Sequence, residues 1–346
     1  MSAVTAAAAL LTVVDVIDET NDAKSVVLRP GRDDAPRFAY RPGQFLTLRV
    51  GSGERIAARS YSLSSSPTTD PELKVTVKRT EGGYGSNWIC DHVAVGDEIL
   101  ALPPAGRFTP RDLGADLLLF AAGSGITPMM SIIKEAHAAG SGRVTLVYAN
   151  ARRDGVIFAE ALDELGRTRG GRLTAEHWIG AEAGRLSPEQ VAEYGRRHPA
   201  DEVLVCGPAG FMDVVRAGLA AAGIPRDHVR QEVFASISGD PFAPADVPER
   251  AETTADGALA TVLIGGDTFE LTWPRQQNLV QVLLERGVDV PYSCRSGECG
   301  SCACSITSGE VRMEHSGVLD EEDIASGYVL GCQAHPVSDA VSVSFT

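Results

Sequence analysis

The 346-residue chain carries a formal charge of −15, with 44% hydrophobic and 22% charged residues, proportions of a globular protein long enough for two or three cored domains. That balance disfavours nucleic acid and anionic membrane surfaces, which are bound through clustered Lys and Arg, and makes a cationic protein patch the expected counterpart. No run reaches the roughly 18 apolar residues of a membrane span. The N-terminal MSAVTAAAALL has no basic n-region and runs straight into the strand-like LTVVDVID, so it does not read as a signal peptide. The expected location is the reducing cytosol, where clustered cysteines more often bind metal or do redox work than form structural disulfides.

In chain order, residues 1–112 are rich in β-branched residues, Gly and Pro. Short alternating runs (KSVVLRP, QFLTLRV, LKVTVKR, GDEILALPP) lie between turn signals and predict an antiparallel β-barrel. One strand, ARSYSLSSSP, carries Arg59, Tyr61 and Ser62. Arg59 and Tyr61 stand at alternate positions and share a strand face, where a guanidinium can pair with a phosphate and a ring can lie against a flat ligand. Taken alone, the triplet is equally an ordinary polar strand. Downstream, EGGYGSNWICDH places Gly82, Gly83 and Gly85 in a turn with Ser86 as the expected N-cap of a helix, an anion site suited to a dinucleotide pyrophosphate.

From residue 113 to 238 the texture changes to near-continuous apolar strands (ADLLLFAAG, GRVTLVYAN, DEVLVCGP), each followed by a helical stretch, which predicts a parallel α/β sheet buried on both faces. The first strand runs into Gly123-x-Gly125-x-x-Pro128, with Thr127 inside the motif. This is the strand, turn and helix setting of a dinucleotide fingerprint, with proline, favoured at the first helical position, replacing the third glycine. Arg152 and Arg153 follow the second strand, where they can accept a 2′-phosphate or be merely solvated. Cys206, Gly207 and Pro208 end a later strand at its carboxyl end, where ligands sit in open α/β sheets; Cys206 can also be a plain buried residue.

Residues 239–256 hold three prolines and little apolar periodicity, and read as a semi-rigid linker. The last domain, residues 257–346, opens with a hairpin pattern (ATVLIGGDTFELTW) and an amphipathic helix (NLVQVLLERG). It then reaches PYSCRSGECGSCACS. Cys294, Cys299 and Cys302 are spaced C-x4-C-x2-C, and Cys332 lies further on in VLGCQAHP, the spacing of plant-type [2Fe-2S] ferredoxins. Gly297 and Gly300 permit the tight turns and close backbone approach such a loop needs. A structural zinc site is the alternative, but it typically brings two C-x2-C-like pairs and here there is one. Cys304 reads as a small buried hydrophobe. Cys90-Asp-His92 and Cys332-Gln-Ala-His335 imitate the halves of a Rieske ligand set, but they fall in different domains, and that reading would remove the fourth ferredoxin cysteine.

The Arg59-x-Tyr61-Ser62 strand, the Gly82-Gly83-x-x-Ser86 turn, the Gly123-x-Gly125-x-x-Pro128 turn and Cys206-Gly207-Pro208 together resemble the ferredoxin-NADP reductase superfamily over nearly the whole chain. The resemblance implies that Arg59 binds flavin phosphate, that Tyr61 packs on the isoalloxazine and that Ser62 lies near its reactive nitrogen. It implies that Gly82, Gly83, Gly85 and Ser86 take the FAD pyrophosphate, which favours FAD over FMN. It further implies that Thr127 and Cys206 lie beside the nicotinamide, and that Glu232 and Phe234 in RQEVFAS are the acid and aromatic closing that domain near the flavin. Fold and cofactors follow: a flavin barrel, an α/β nicotinamide domain that takes NADH in preference to NADPH, and an α+β β-grasp ferredoxin domain. With the ferredoxin part last, the chain is most similar to reductases of multicomponent oxygenases such as those of 3-ketosteroid 9α-hydroxylases and phenylacetyl-CoA epoxygenases.

The implied activity is passage of electrons from NADH through FAD and the cluster to a terminal oxygenase, of Rieske type or, alternatively, diiron type. A redox sensor without turnover is the rival class, and the presence of Thr127, Cys206, Glu232 and Phe234 argues against it; the catalytic set implied by the resemblance is Ser62, Thr127, Cys206 and Glu232. Residues 257–346 hold 12 Asp and Glu against 4 Arg and no Lys, net −8. The run Asp320-Glu321-Glu322-Asp323 is either a solvated helix start or a docking face for a basic patch on the oxygenase, and the two can coexist. A monomer is expected.

Overall fold

Alternating apolar strands bury one face, and β1 (Ala9–Thr20) does so: Leu11 and Val13 are buried while Leu10 is exposed. It is followed by β2 (Ala23–Pro30), β3 (Phe45–Ser52), β4 (Arg55–Ser62), β5 (Leu73–Lys78), helix α1 (Tyr84–His92) and β6 (Glu98–Ala101). The strands form one antiparallel sheet in the order β4-β3-β6-β1-β2-β5. A bridge between Leu63, just past β4, and Val75 on β5 joins the two edge strands, so the sheet closes into a barrel. Helix α1 adds Ile89 and Cys90 to the barrel core, and its C-cap residue adds Val93. The computed structural model describes residues 8–53, 55–167, 172–243, 257–288 and 290–345. They fall into two compact units, one of residues 9–234 and one that begins at Ala235.

Within the first unit the chain continues with β7 (Leu117–Ala122), α2 (Ile126–Ala139), β8 (Val144–Asn150), α3 (Ala159–Arg167), β9 (Leu173–Ile179), α4 (Gly180–Ala183), α5 (Pro188–Arg197), β10 (Glu202–Cys206), α6 (Ala209–Ala221) and β11 (Val229–Glu232). Every residue of β7 is buried, because helices cover both faces of a parallel sheet. Two separate apolar clusters, one containing Leu117, Leu119 and Ile132 and the other Leu118, Phe120 and Val215, are those two faces. The strand order β11-β10-β7-β8-β9 reverses direction between β7 and β10. The crevice outside the carboxyl ends of those two strands is where such sheets bind ligands.

The second unit contains β12 (Gly257–Ile264), β13 (Asp267–Pro274), α7 (Leu279–Glu285), β14 (Ala303–Ser308), β15 (Val311–Met313), α8 (Glu321–Ala325), β16 (Tyr328–Leu330), β17 (Ala334–Pro336) and β18 (Ala340–Phe345). The mixed sheet runs β13-β12-β18-β14-β16, with β12 and β18 parallel. Helix α7, capped by Asn278, buries Leu279, Val280, Val282 and Leu283 with Trp273 of β13 in one core. This is the α+β grasp arrangement. Cys304 is part of that core and its Sγ donates to the Val329 carbonyl. The acidic run is a helix start: Asp320 caps α8 in a reciprocal box with Asp323.

The start of the expected linker behaves differently from a tether. Residues 235–243 belong with the second unit. Ile237 and Phe242 are buried, and the Ser238 N–H donates to the Glu298 carboxylate at 2.8 Å. Proline content misleads here because Phe242 supplies an apolar anchor within an otherwise polar stretch. Residues 244–256 lie outside the described residues.

Candidate redox centres

Strand β4 carries Arg59 and Tyr61 on one face. Gly85 at the start of α1 packs against both: a Cβ there would stand 2.7 Å from Arg59 Cγ and 3.3 Å from the Tyr61 hydroxyl. The R-x-Y-S strand and the glycine turn, 20 to 30 residues apart in sequence, are therefore one site. Burial pushes the Tyr61 phenol up, with the Arg59 charge opposing it. Gly82 has φ +67°, a left-handed value that favours glycine. Ser86 is not the N-cap. Gly83 holds that position without a side-chain cap, and the buried Ser86 Oγ, inside the first turn, accepts the Thr80 N–H at 3.1 Å. The outcome suits an anion better than the expected one, because no side chain of the cap occupies the first-turn N–H groups.

The turn after β7 is pressed onto the end of β10. A Cβ on Gly125 would meet the Cys206 carbonyl oxygen at 2.1 Å, so only glycine fits. Gly123 has φ +54°, and its carbonyl accepts the Tyr148 hydroxyl at 3.0 Å. The Thr127 Oγ1 donates to the Ser124 carbonyl at 3.0 Å. Pro128 is the third residue of α2 rather than the first, a place equally free of an intrahelical N–H bond. Gly207 lies against Ala122, and Pro208 is the N-cap of α6. These residues flank the point where the strand order reverses.

Parallel pairing of β10 with β11 sets Glu232 beside Cys206. The Ser62 Oγ donates to Glu232 Oε2 at 3.3 Å, so the barrel motif and the α/β motif meet at this acid. Glu232 is half-buried as a residue, yet burial of its carboxyl pushes the pKa up to about 8, with the Ser62 hydrogen bond opposing. Cys206 is fully buried, and burial followed by the Glu232 charge raises its thiol well above the ordinary value. Phe234 is 48% exposed. Arg152 forms a bidentate pair with Asp154, and Arg153 one with Glu182, all four side chains being exposed.

Cys294, Cys299, Cys302 and Cys332 form one contiguous set, Cys294 touching Cys299 and Cys332, and Cys332 touching Cys302. Backbone N–H groups are aimed at their sulfurs. Those of Ser296 and Glu298 reach Cys294 Sγ at 3.4 and 3.3 Å, that of Cys294 reaches Cys299 Sγ at 3.4 Å, and that of Cys332 reaches Cys302 Sγ at 3.4 Å. Arg295, Gly297 and Gly300 have positive φ, which turns the loop around the thiols. Among the described residues no three His, Cys, Asp or Glu are grouped about a single-ion position. Four clustered thiols, three of them buried and three of them receiving backbone N–H groups, fit a thiolate-held iron-sulfur cluster, whose charge such donors stabilise. The Rieske-like pairs do not assemble: Cys90 is in the barrel core with its Sγ on the Val77 carbonyl, and His92 stacks on Trp88.

Comparison with known proteins agrees with this architecture. Family models match at residues 11–109 (oxidoreductase FAD-binding domain), 119–217 (oxidoreductase NAD-binding domain) and 262–337 (2Fe-2S iron-sulfur cluster binding domain). The class is thereby defined: an oxidoreductase whose cofactors are FAD, NADH and a [2Fe-2S] cluster, with electron transfer as its work. The 3-ketosteroid-9-alpha-monooxygenase ferredoxin reductase component of Rhodococcus rhodochrous is 51% identical over 97% of this chain and 96% of its own length, and that of Mycolicibacterium smegmatis is 48% identical over the same shares. One component of the 1,2-phenylacetyl-CoA epoxidase of Escherichia coli is 30% identical over 97% of each chain. The solved phthalate dioxygenase reductase, described as a modular structure for electron transfer from pyridine nucleotides to [2Fe-2S], is 26% identical over 97% of each chain, with a TM-score of 0.58. The chain belongs to this family of oxygenase reductase components and carries electrons toward an oxygenase. Among the described residues no helix is long and apolar enough to cross a membrane.

Two features carry no motif in the sequence: Glu298 with its Ser238 partner, and the serine-rich loop after Ser62, held by Glu135 of α2. The run SLSSSP is visible, but nothing local predicts that a carboxylate 69 residues away accepts from it.

Proposed function

We propose that this chain is the NADH-dependent reductase of a Rieske-type oxygenase acting on a 3-ketosteroid, with residues 1–112 as its flavin domain, residues 113–234 as its nicotinamide domain (ending four residues earlier than the sequence pattern suggests, because residues 235–243 pack with the second unit) and residues 257–346 as its ferredoxin domain. The observation that carries the substrate class is the 51% identity over almost the full length of both chains, against 30% for the epoxidase component. When bound, FAD takes the two electrons of a hydride and releases them singly to the one-electron cluster. Arg59 neutralises flavin phosphate charge, Tyr61 covers the ring, and Gly82, Gly83, Gly85 and Ser86 let the pyrophosphate approach the start of α1. Gly123, Gly125, Thr127, Pro128, Cys206, Gly207 and Pro208 shape the nicotinamide crevice, with Phe234 at its edge.

With its carboxyl titrating near 8, Glu232 holds a proton at neutral pH. It thus presents a hydrogen-bonding group rather than a charge beside Ser62 and Cys206. Cys294, Cys299, Cys302 and Cys332 hold the cluster through thiolates. Arg152, already paired with Asp154, is poorly placed to gain from a 2′-phosphate, in keeping with NADH. The acidic face at Asp320–Asp323, beside exposed Ile324 and Tyr328, is the docking surface for a basic patch on the oxygenase. The chain acts in the cytoplasm as a monomer.

The test is an anaerobic titration of the purified holoprotein with NADH and then NADPH, followed in the visible spectrum. Bleaching of flavin and loss of the iron-sulfur band at a small excess of NADH is the expected result. An oxidised cluster beside a bleached flavin would break the relay at its last step.

A further inference from the structure

Directly after Ser62 the chain leaves β4 as Leu63-Ser64-Ser65-Ser66-Pro67-Thr68-Thr69-Asp70, and its three serines are fully buried. One side of this loop is fastened to the barrel. Ser64 Oγ shares a hydrogen bond with Thr76 Oγ1 at 2.7 Å, and Ser65 Oγ accepts the Tyr40 hydroxyl at 2.7 Å and the Lys74 N–H at 3.0 Å. The other side is fastened to α2. Glu135, 5% exposed, accepts the Ser66 hydroxyl at 2.6 Å and the Thr68 N–H at 3.2 Å on Oε2, and the Thr68 hydroxyl at 2.5 Å on Oε1. Ser131 Oγ donates to the Ser65 carbonyl at 2.6 Å, and Lys134 pairs with Asp70 at 2.9 Å.

This latch joins the two motifs that must meet for hydride transfer. Its loop begins one residue after Ser62, and its helix begins at the nucleotide turn, with Thr127 eight residues, about 12 Å, ahead of Glu135. A buried carboxylate is a costly way to fill an interface unless its oxygens are satisfied. Here three donors from one loop satisfy them, and their directions fix a register that apolar packing would leave loose. The Ser62 bond to Glu232 is a second point of attachment between the same two parts. Two separated points set an orientation, where one sets only a distance.

We propose that Glu135 is a positioning residue for hydride transfer: by clamping loop 63–70 onto α2 it holds Tyr61 and Ser62 in register with the nicotinamide crevice. The reaction served is the oxidation of NADH to NAD+, with the hydride leaving the nicotinamide ring for the flavin ring. The inference rests on the flavin and nicotinamide sites proposed above.

The test is stopped-flow reduction of the FAD-loaded protein by NADH without oxygen, for wild type, Glu135→Ala, Glu135→Gln and Thr68→Val. Since a misplacement of about 1 Å can cost about 100-fold, flavin reduction at saturating NADH should fall about 10- to 100-fold in Glu135→Ala. The long-wavelength charge-transfer absorbance of NADH against flavin should weaken in parallel, while the NADH Kd and the FAD content move by less than about twofold. Glu135→Gln, which keeps one acceptor oxygen, should recover part of the rate. If the variants melt earlier yet keep the wild-type rate and charge-transfer band, Glu135 is structural only and the proposal fails. Thr68→Val deletes one bond from outside α2 and gives the same reading where Glu135→Ala does not fold. A wild type that NADH cannot bleach would instead sink the site reading, and the latch with it.

Discussion

Glu232 ties the barrel motif to the α/β motif through one side chain. Its folded pKa of about 8 lies above the ordinary glutamate value, so the folded protein binds the extra proton more tightly than the unfolded chain. Stability from this group is complete below the ordinary glutamate pKa, declines as pH rises, and is gone above about 8. Urea midpoints measured from pH 5 to 9 should therefore fall with pH more steeply in wild type than in Glu232→Gln, whose amide cannot ionise; parallel profiles would reject a buried protonated acid. Gly125 makes a sharper prediction. A methyl group there runs into the Cys206 carbonyl, so Gly125→Ala should cost upwards of about 2 kcal/mol and abolish flavin reduction by NADH, read by calorimetry and by the same bleaching assay.

At the level of elements, the loop that holds the four cysteines and the helix that carries the acids are separable in experiment. Cys332→Ser should leave flavin bleaching by NADH at its wild-type rate while the cluster absorbance is lost and electron delivery to an oxygenase stops. Wild-type delivery by that variant would mean that Cys332 is no ligand. For α8, reversing charge with Glu321→Lys and Glu322→Lys should slow reduction of a basic oxygenase partner about tenfold at low salt, with the difference shrinking as salt screens it. Reduction of a small neutral acceptor should not change. An unaltered, salt-independent rate with the partner would leave the acidic run as a helix start and nothing more.

For the molecule as a whole, most of the architecture is legible in the chain. Strand period separates the barrel from the parallel sheet, and the C-x4-C-x2-C spacing marks the last domain. The two glycine turns are also visible, and in each the structure brings a neighbour close: the Cys206 carbonyl at Gly125, and Arg59 and Tyr61 at Gly85. What local pattern misses has a common cause. Ser86 reads as a cap one turn too late because Gly83, without a side chain, leaves the cap empty, and local pattern does not tell N-cap from first turn. The Glu135 latch and the Ser238 to Glu298 bond join residues 69 and 60 positions apart through polar groups. Periodicity reports faces, not long-range partners.

The bond from Ser238 to Glu298 bears on how this molecule can be divided. Glu298 N–H reaches Cys294 Sγ, and its carboxylate also takes the Ser296 hydroxyl at 2.6 Å; Arg295 reaches the Ala243 carbonyl at 3.4 Å. Residues 235–243 are thus part of the wall of the cysteine loop, and an excised electron carrier starting at residue 257 would leave that wall behind. Surgery that respects the molecule cuts at 234, so a chimera grafting this carrier onto another flavoprotein should keep the nine residues that follow, or accept a cluster more open to water and oxygen.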